Sequence, residues 1–600
     1  MNHADPQVYF KIRRGSLHFA TLPTSRMTAN DRHRVSGNLT LFRAILPGIC
    51  FLGGLWNCWR LCYAPDTDEI CYLNIGEAFL RGDGSHFLSS MWGPLYGVVS
   101  IVWLRILPGA YPREDLKVMN LCILLLILWG SLAISKRIVQ GIGAGSLNAR
   151  VITQVFVFSA LWVSLDVLAV ARETPDLMLM AVVLASTLSY LRFFDGSNRG
   201  RYLPALTVGV CGAAGYYLKQ SYLPVALLFL AALVWPPADR RIRLSRVGLA
   251  SAAFLVLILP WIAGLSAREG HLTMGENAKF NYLAGLENAD QFAALFGALP
   301  PENRLPADPT VVDLGSAFPR SQFPLQCQGT DYLANVPIHF SWRQQLTQSR
   351  INYVVTINLF RHKGPFAIVL VLVLVAGLCL RKPSLSSPWL PLMVISLAPF
   401  ILYPLVRIDY RYLAPYLFLG AVSAWAWATS ENPNIPRLWA LLLGCCLLGG
   451  ILWDTVVGLR RPSPEELSNS FRCCSNPYEV FREELHAAGI PEGAKIALVG
   501  EPRAEHFYSW VNPGRYRLQA VVTDPSRYFG ATQATRRRIE DELSERGSQV
   551  LIVPRELVPQ DQSNNWRPLS IGYMFRLLGN PHAEAERRAA SIRRPLFIAR

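Results

Sequence analysis

Charge is scarce in this chain. Of its 600 residues 17% are Asp, Glu, Lys or Arg, while 51% are apolar and the mean hydropathy is +0.24. A soluble protein carries about a quarter charged residues, so a soluble fold over most of the length is excluded. Lysine is far rarer than arginine, which gives a lysine in an unusual place extra weight. The twelve cysteines lack metal-ligand spacing, and most lie in apolar runs as small core residues. Cys473 and Cys474 are adjacent, a strained pair, and Cys327 reaches them only if the fold brings it there. The basic stretch from Lys11 to Arg43 lacks an early apolar core. No cleavable signal peptide is therefore expected, and the first span is expected to act as an uncleaved anchor. No internal repeat or low-complexity tract stands out. A net charge of +16 would suggest nucleic acid for a soluble protein. Here Arg and Lys crowd the loops between apolar runs, as cytoplasmic loops require, and no nucleic-acid partner is expected.

Long apolar runs are what the chain has in abundance. They lie at about 41–60, 118–135, 151–170, 176–194, 203–218, 221–236, 247–265, 365–381, 387–405, 411–429 and 437–458, several of them shorter than the ~20 residues of a full span. A further run, "PLYGVVSIVWLRILP" (Pro94 to Pro108), has proline at both ends and Arg105 near its close. It suits an interfacial or re-entrant helix. With that run kept on one side and the N-terminus cytoplasmic, every strongly basic short loop falls inside. These loops carry Lys136, Arg137 and Arg150; Arg192, Arg199 and Arg201; Arg240, Arg241, Arg243 and Arg246; Arg381 and Lys382; and Arg437.

The expected fold is therefore mostly α: a polytopic transmembrane helical bundle of about eleven spans, N-terminus in and C-terminus out, with interfacial helices on the outer face. A basic cytoplasmic tail, 1–39, precedes a membrane module, 40–460, whose outer parts are a first loop, 61–117, and a long segment, 266–364. A small extracytoplasmic α/β domain follows at 461–600. Its strand-like runs are Lys495–Gly500, Leu518–Thr523 and Gln549–Pro554, with a charged helix at Ala534–Gly547. It contains neither G-x-G-x-x-G nor a P-loop.

This threading gathers ionisable groups on the outer face, in "DTDEICY", "ARETPD", "YLKQSY", the long segment and "RIDYRYLAP". Asp66, Asp68, Glu69 and Glu77 cluster after the first span. From spacing alone two accounts stand side by side: a helix N-terminus capped by Asp66 or Thr67 with Asp68 and Glu69 on its dipole, or carboxylates held at the membrane surface for chemistry. "SWRQQLTQSRINYVVTINLF" (Ser341 to Phe360) reads as another interfacial helix. His271, His339 and His362 are too scattered for a metal site and read as surface histidines.

The motif D-E-x-x-Y, followed by "AFLRGDG" and "WGPLY", resembles the start of the C-type (GT-C) polytopic glycosyltransferases, which include the bacterial aminoarabinose transferases and the protein O-mannosyltransferases. The resemblance implies that Asp68 is the catalytic base, with Glu69 and Tyr72 matching its neighbours and Asp66 an extra acid able to share the role. "ETPDLM" resembles the second acidic motif of that family, which points to Asp176, with Glu173 beside it. "YYLKQSYLP" resembles the threonine-lysine turn, so Lys219 becomes the candidate phosphate contact. "RYLAP" resembles R-Y-x-x-P and places Arg411 and Tyr412 near the same cavity. Where the family usually has K-P-P, "MWGPLY" keeps only Pro94. The resemblance covers about residues 60–420 and leaves the C-terminal domain aside.

The residue types have chemical reasons. A carboxylate can take the proton of an acceptor hydroxyl, itself a poor nucleophile. Attack at an anomeric carbon passes through an oxocarbenium-like state, and a lipid-phosphate leaving group needs cations. The expected partners are a polyprenyl-phosphate sugar donor, a lipid, glycan or protein acceptor, and the bilayer of the bacterial plasma membrane. Asp176 would orient the acceptor or a cation. Lys219 and Arg411 would bind the donor phosphate, assisted by Arg407 or Arg172. Clustered acids are able to hold Mg²⁺ or Mn²⁺ through oxygen ligands, and the metal is left unassigned. Two other readings are a transporter or flippase of lipid-linked sugars, and a membrane-anchored binding protein acting through its tail.

Overall fold

The computed structural model describes residues 48, 51–58, 67–107, 112–142, 146–168, 170–194, 202–235, 240–286, 301–314, 341–362, 387–429, 477–491, 493–500, 516–569 and 572–578. From residue 51 onward they belong to one compact unit. The expected spans 365–381 and 437–458 lie outside the described residues, as do most of 41–60, Cys327, Cys473 and Cys474.

The described part is mostly helical. Two helices that cross each other come first, α1 (Thr67–Arg81) and α2 (Pro94–Ile106). There follow α3 (Pro112–Ile142), α4 (Ser146–Trp162), α5 (Asp176–Phe194), α6 (Leu203–Leu218), α7 (Leu223–Ala232) and α8 (Arg240–Glu269). Then come α9 (Asn277–Leu286), α10 (Trp342–His362), α11 (Trp389–Leu402) and α12 (Tyr410–Thr429). Among the described residues three helices are long and apolar enough to cross a membrane: Asp115–Gln140, Asp176–Phe193 and Leu244–Glu269. The α2 helix, 13 residues long, reaches only about 20 Å, short of a hydrocarbon core of ~30 Å. The run at 151–170 is not helical to its end: α4 passes into a π-turn at Val163–Val167.

Small residues let these helices approach. A Cβ on Gly97 would collide with the Tyr72 carbonyl, and one on Gly76 with the Gly97 carbonyl, so α1 and α2 cross backbone to backbone. Gly209 stands in the same relation to Ala250 between α6 and α8. Apolar solvent supplies no hydrophobic drive between spans, so close van der Waals packing at small residues takes over. Neighbouring helices pack as α3 on α5, α5 on α6, α6 on α8 and α11 on α12.

The C-terminal part supplies five strands of a seven-stranded sheet which, numbered along the chain, has the order β1-β2-β4-β3-β5-β7-β6. Its parallel centre is β3 (Lys495–Val499), β4 (Arg517–Val522) and β5 (Ser548–Pro554). The strand-like runs of the tail became these three, and α14 (Gln533–Glu545), preceded by α13 (Pro477–Ala487), falls where the charged helix was read. The strands β6 (Arg567–Pro568) and β7 (Tyr573–Leu577) close one edge antiparallel. Alternate residues bury on opposite faces, as period two requires. Ile496, Leu498, Val521 and Ile552 meet Phe481 and Leu485 of α13, while Ala497, Val499, Val522 and Leu551 meet Ile539 and Leu543 of α14.

Two strands of this sheet come from the long segment 266–364, far earlier in the chain. They are β1 (Arg304–Leu305) and β2 (Asp308–Asp313), and β2 pairs antiparallel with β4, Val312 opposite Val521. Buried Asp313 accepts from Gln519 at 2.8 Å and from Arg546 at 2.5 Å. The Thr523 backbone N–H donates to the Thr310 carbonyl at 2.9 Å.

Candidate active site

Four helix ends meet around one guanidinium. Asp68 stands in the first turn of α1. The α1–α2 crossing at Gly76 and Gly97 sets its place, and Gly93, which caps α2, lies against the Tyr217 carbonyl at the end of α6. This chain of backbone contacts links α1 to the turn that carries Lys219.

The segment leading into α5 is held from behind by α3. Asn120, fully buried, donates to the carbonyls of Val170 at 2.9 Å and Arg172 at 2.8 Å. Lys117 pairs with Glu173 at 2.5 Å, both buried. Thr174 donates its hydroxyl to Asp176 Oδ2 at 3.0 Å. With Asn120 and Lys117 securing residues 170–173 and Thr174 bonded to the carboxylate, Asp176 enters the helix at a set position, only 1% exposed.

Lys219 is the C-cap of α6, in extended conformation. Its ammonium donates to Asp176 Oδ1 and lies 3.9 Å from the centre of the Tyr412 ring, a cation–π arrangement. Arg411 comes from the start of α12. Its Nη2 donates to Asp68 Oδ2 at 2.9 Å, its Nε to Asp409 Oδ2 at 3.0 Å, and its Nη1 is 3.8 Å from Asp176 Oδ2. Asp409 is also the N-cap of α12, accepting from the Arg411 backbone N–H at 3.2 Å. One planar cation thus bridges three carboxylates, as the guanidinium fork allows.

Exposure separates the two principal acids. Asp176 is sealed, while the Asp68 side chain is 19% exposed. A small molecule approaching from solvent can reach Asp68 but not Asp176. Tyr72, one turn after Asp68, is buried with its ring edge-on to Trp92 and Tyr96. Burial, reinforced by the charges of Asp68 and Asp176, pushes its hydroxyl well above the ordinary range, so it remains a neutral donor.

Of the residues singled out from sequence, the structure brings Asp68, Asp176, Lys219, Arg411 and Tyr412 together. Glu69 is buried beside Asp68, and Glu173 faces Lys117 rather than the guanidinium. Arg407 is exposed and donates to Asn281 Oδ1 at 3.3 Å, and Arg172 is exposed at the surface. Neither makes a described contact with the cluster. Asp66 lies outside the described residues, as does His339. His271 is paired with Glu276 at 3.2 Å, and that hydrogen bond raises its pKa. Asp409, Thr174, Lys117 and Asn120 were not foreseen. A signal existed for two of them: Lys117 is one of the few lysines, and Asp409 sits where a helix cap belongs. As for a divalent metal, Asp68, Asp176 and Asp409 converge on a guanidinium. No group of three His, Cys, Asp or Glu side chains arranged to hold an ion is found among the described residues.

No family model and no curated protein matches the chain. Among solved structures it is similar to the crystal structure of ArnT from Cupriavidus metallidurans in the apo state. The two share 13% sequence identity at a TM-score of 0.38, covering 91% of this chain and 98% of that one.

Proposed function

We propose that the protein is a membrane glycosyltransferase that moves a sugar from a polyprenyl-phosphate donor to an acceptor hydroxyl on the outer face. The observation that carries this reading is the Asp68–Arg411–Asp176–Lys219 cluster: a reachable carboxylate beside two cations whose positions a buried carboxylate sets. Asp68 takes the acceptor proton as the oxygen attacks the anomeric carbon. The bond to the lipid phosphate breaks, and Lys219 and Arg411 stabilise the charge growing on the leaving oxygen. Asp176 holds both cations and does not touch the acceptor. A single displacement inverts the anomeric centre.

The same reading carries eleven spans, with the N-terminus inside and the C-terminal sheet outside. Two features support it. The guanidinium of buried Arg246 lies 5.1 Å from the Phe193 ring, at the other end of α5 from Asp176. Seventeen residues of helix separate those ends by about 26 Å, close to a hydrocarbon core, a spacing that suits Arg246 and the acidic site on opposite faces. In addition, Cys71 of α1 is disulfide-bonded, which suits an oxidising compartment. The acceptor class is a hydroxyl of a lipid, glycan or protein.

A transporter would place its coupling charges at mid-bilayer on broken helices. Asp176, Lys219 and Asp409 stand at helix ends instead. The test is turnover of a polyprenyl-phosphate sugar by purified protein. Asp68→Asn and Lys219→Ala are expected to abolish it, and wild-type turnover from both folded variants would remove the mechanism.

A further inference from the structure

The α10 helix is built inside out. Its buried positions are Gln345, Gln348, Asn352 and Thr356, each 6–8% exposed, and spacings of three and four place them on one stripe. Its outward positions include Trp342, Leu346, Ile351, Val354 and Ile357. A helix facing water reverses this pattern; apolar side chains outward suit lipid. The polar stripe then has to serve the protein.

What it serves is a break in the backbone. The α11 helix ends at Leu402, a 3₁₀ turn spans Tyr403–Leu405, and α12 begins at Tyr410. Pro404 has no N–H to return to the Phe400 carbonyl, and Tyr353 Oη donates to that oxygen at 2.8 Å. Asn352 Nδ2 donates to the Pro404 carbonyl at 2.9 Å and the Val406 carbonyl at 3.4 Å. Gln345 Nε2 donates to the Leu405 carbonyl at 2.7 Å. Gln348 Nε2 reaches Asn352 Oδ1 at 3.4 Å and orients that amide. Irregular backbone at a membrane persists only where protein satisfies it. Five residues after Val406 stands Arg411.

We propose that Asn352, Gln345 and Tyr353 are positioning residues: α10 clamps carbonyls 400–406 of the helix break and so fixes where Arg411 stands in the site. This rests on the reading of Arg411 as a donor-phosphate contact. It assigns a function to the polar face of α10 that the chemistry above did not use.

The test uses full-length protein in lipid nanodiscs, with Asn352→Leu, Asn352→Gln and Tyr353→Phe. Tyr353→Phe removes one hydroxyl from an exposed side chain and leaves the fold intact even where Asn352→Leu does not. Amide hydrogen exchange reads the clamp directly. In Asn352→Leu the amides of 405–412 are expected to exchange about tenfold faster and in Tyr353→Phe about threefold faster, with α5 unchanged. The donor KM should rise about fivefold, the size of one hydrogen bond, with kcat changing less and Asn352→Gln recovering part of the loss. Added to Arg411→Lys, Asn352→Leu should raise KM no further. Unchanged exchange at 405–412 in both Asn352→Leu and Tyr353→Phe overturns the clamp. Wild-type protein that turns over no lipid-linked sugar overturns the reading of function instead, and exchange then decides the clamp alone.

Discussion

Lys219→Met isolates what the buried carboxylate demands. Asp176 is 1% exposed and receives three groups: the Lys219 ammonium, the Thr174 hydroxyl at 3.0 Å and Arg411 at 3.8 Å. Breaking a buried ion pair costs about 3–5 kcal/mol, because the charge left behind has no water. Arg411 remains, and at 3.8 Å with an effective dielectric constant of about 20 it supplies roughly 4 kcal/mol of attraction. The loss should therefore fall at the low end, about 3 kcal/mol. Asp176→Asn alone should cost about 1–2 kcal/mol, since Lys219 keeps the Tyr412 ring and Arg411 keeps Asp68 and Asp409. Combining the two changes removes charge from both sides, and the neutral pair is expected within about 1 kcal/mol of the parent. Thermal unfolding of detergent-purified protein, followed by tryptophan fluorescence at one scan rate, should rank Lys219→Met lowest and return the double variant close to wild type. Turnover should be absent in both. Equal melting of Lys219→Met and wild type, or recovered turnover in the double variant, would refute the reasoning.

The second buried pair should behave likewise: Lys117→Met destabilises by about 3–5 kcal/mol and Lys117→Met with Glu173→Leu recovers most of it, read by the same melting assay. Gly97→Leu should give no monodisperse protein on size exclusion, because the side chain would occupy the place of the Tyr72 carbonyl. The pair of His271 with Glu276 makes the residues before α9 sensitive to pH. The pKa of His271 is raised by that hydrogen bond, so its contribution is complete below the ordinary histidine value of about 6.5 and fades as pH climbs through the raised value. Limited proteolysis at 266–276 should be slower at pH 6 than at pH 8, and His271→Gln should remove the difference.

Much of the fold was readable because its signals are local. The apolar run at 176–194 matches α5 end to end, and three strands of the sheet follow short apolar runs. The gathering of the candidate site was legible where a motif sits on a helix end, as at Asp68, Asp176, Lys219 and Arg411. Lys117 and Glu173 are 56 residues apart, and no local pattern announces such a pairing. The α10 helix was readable as amphipathic but not as inverted, since that depends on the carbonyls it meets. The strands β1 and β2 escaped because they are short, contain Pro309 and pair with β4 far along the chain.

That last pairing dictates an order of assembly. Val311 emerges from the ribosome long before Val522, its partner, and Arg411 is synthesised between them. Through that interval the hairpin is an apolar strand with an open edge, a template for unwanted association. Loop closure over such a separation is slow. A chain cut before β4 would keep the hairpin permanently without its mate. Chaperone dependence during synthesis, and aggregation of C-terminally shortened forms, are what such a stitch entails.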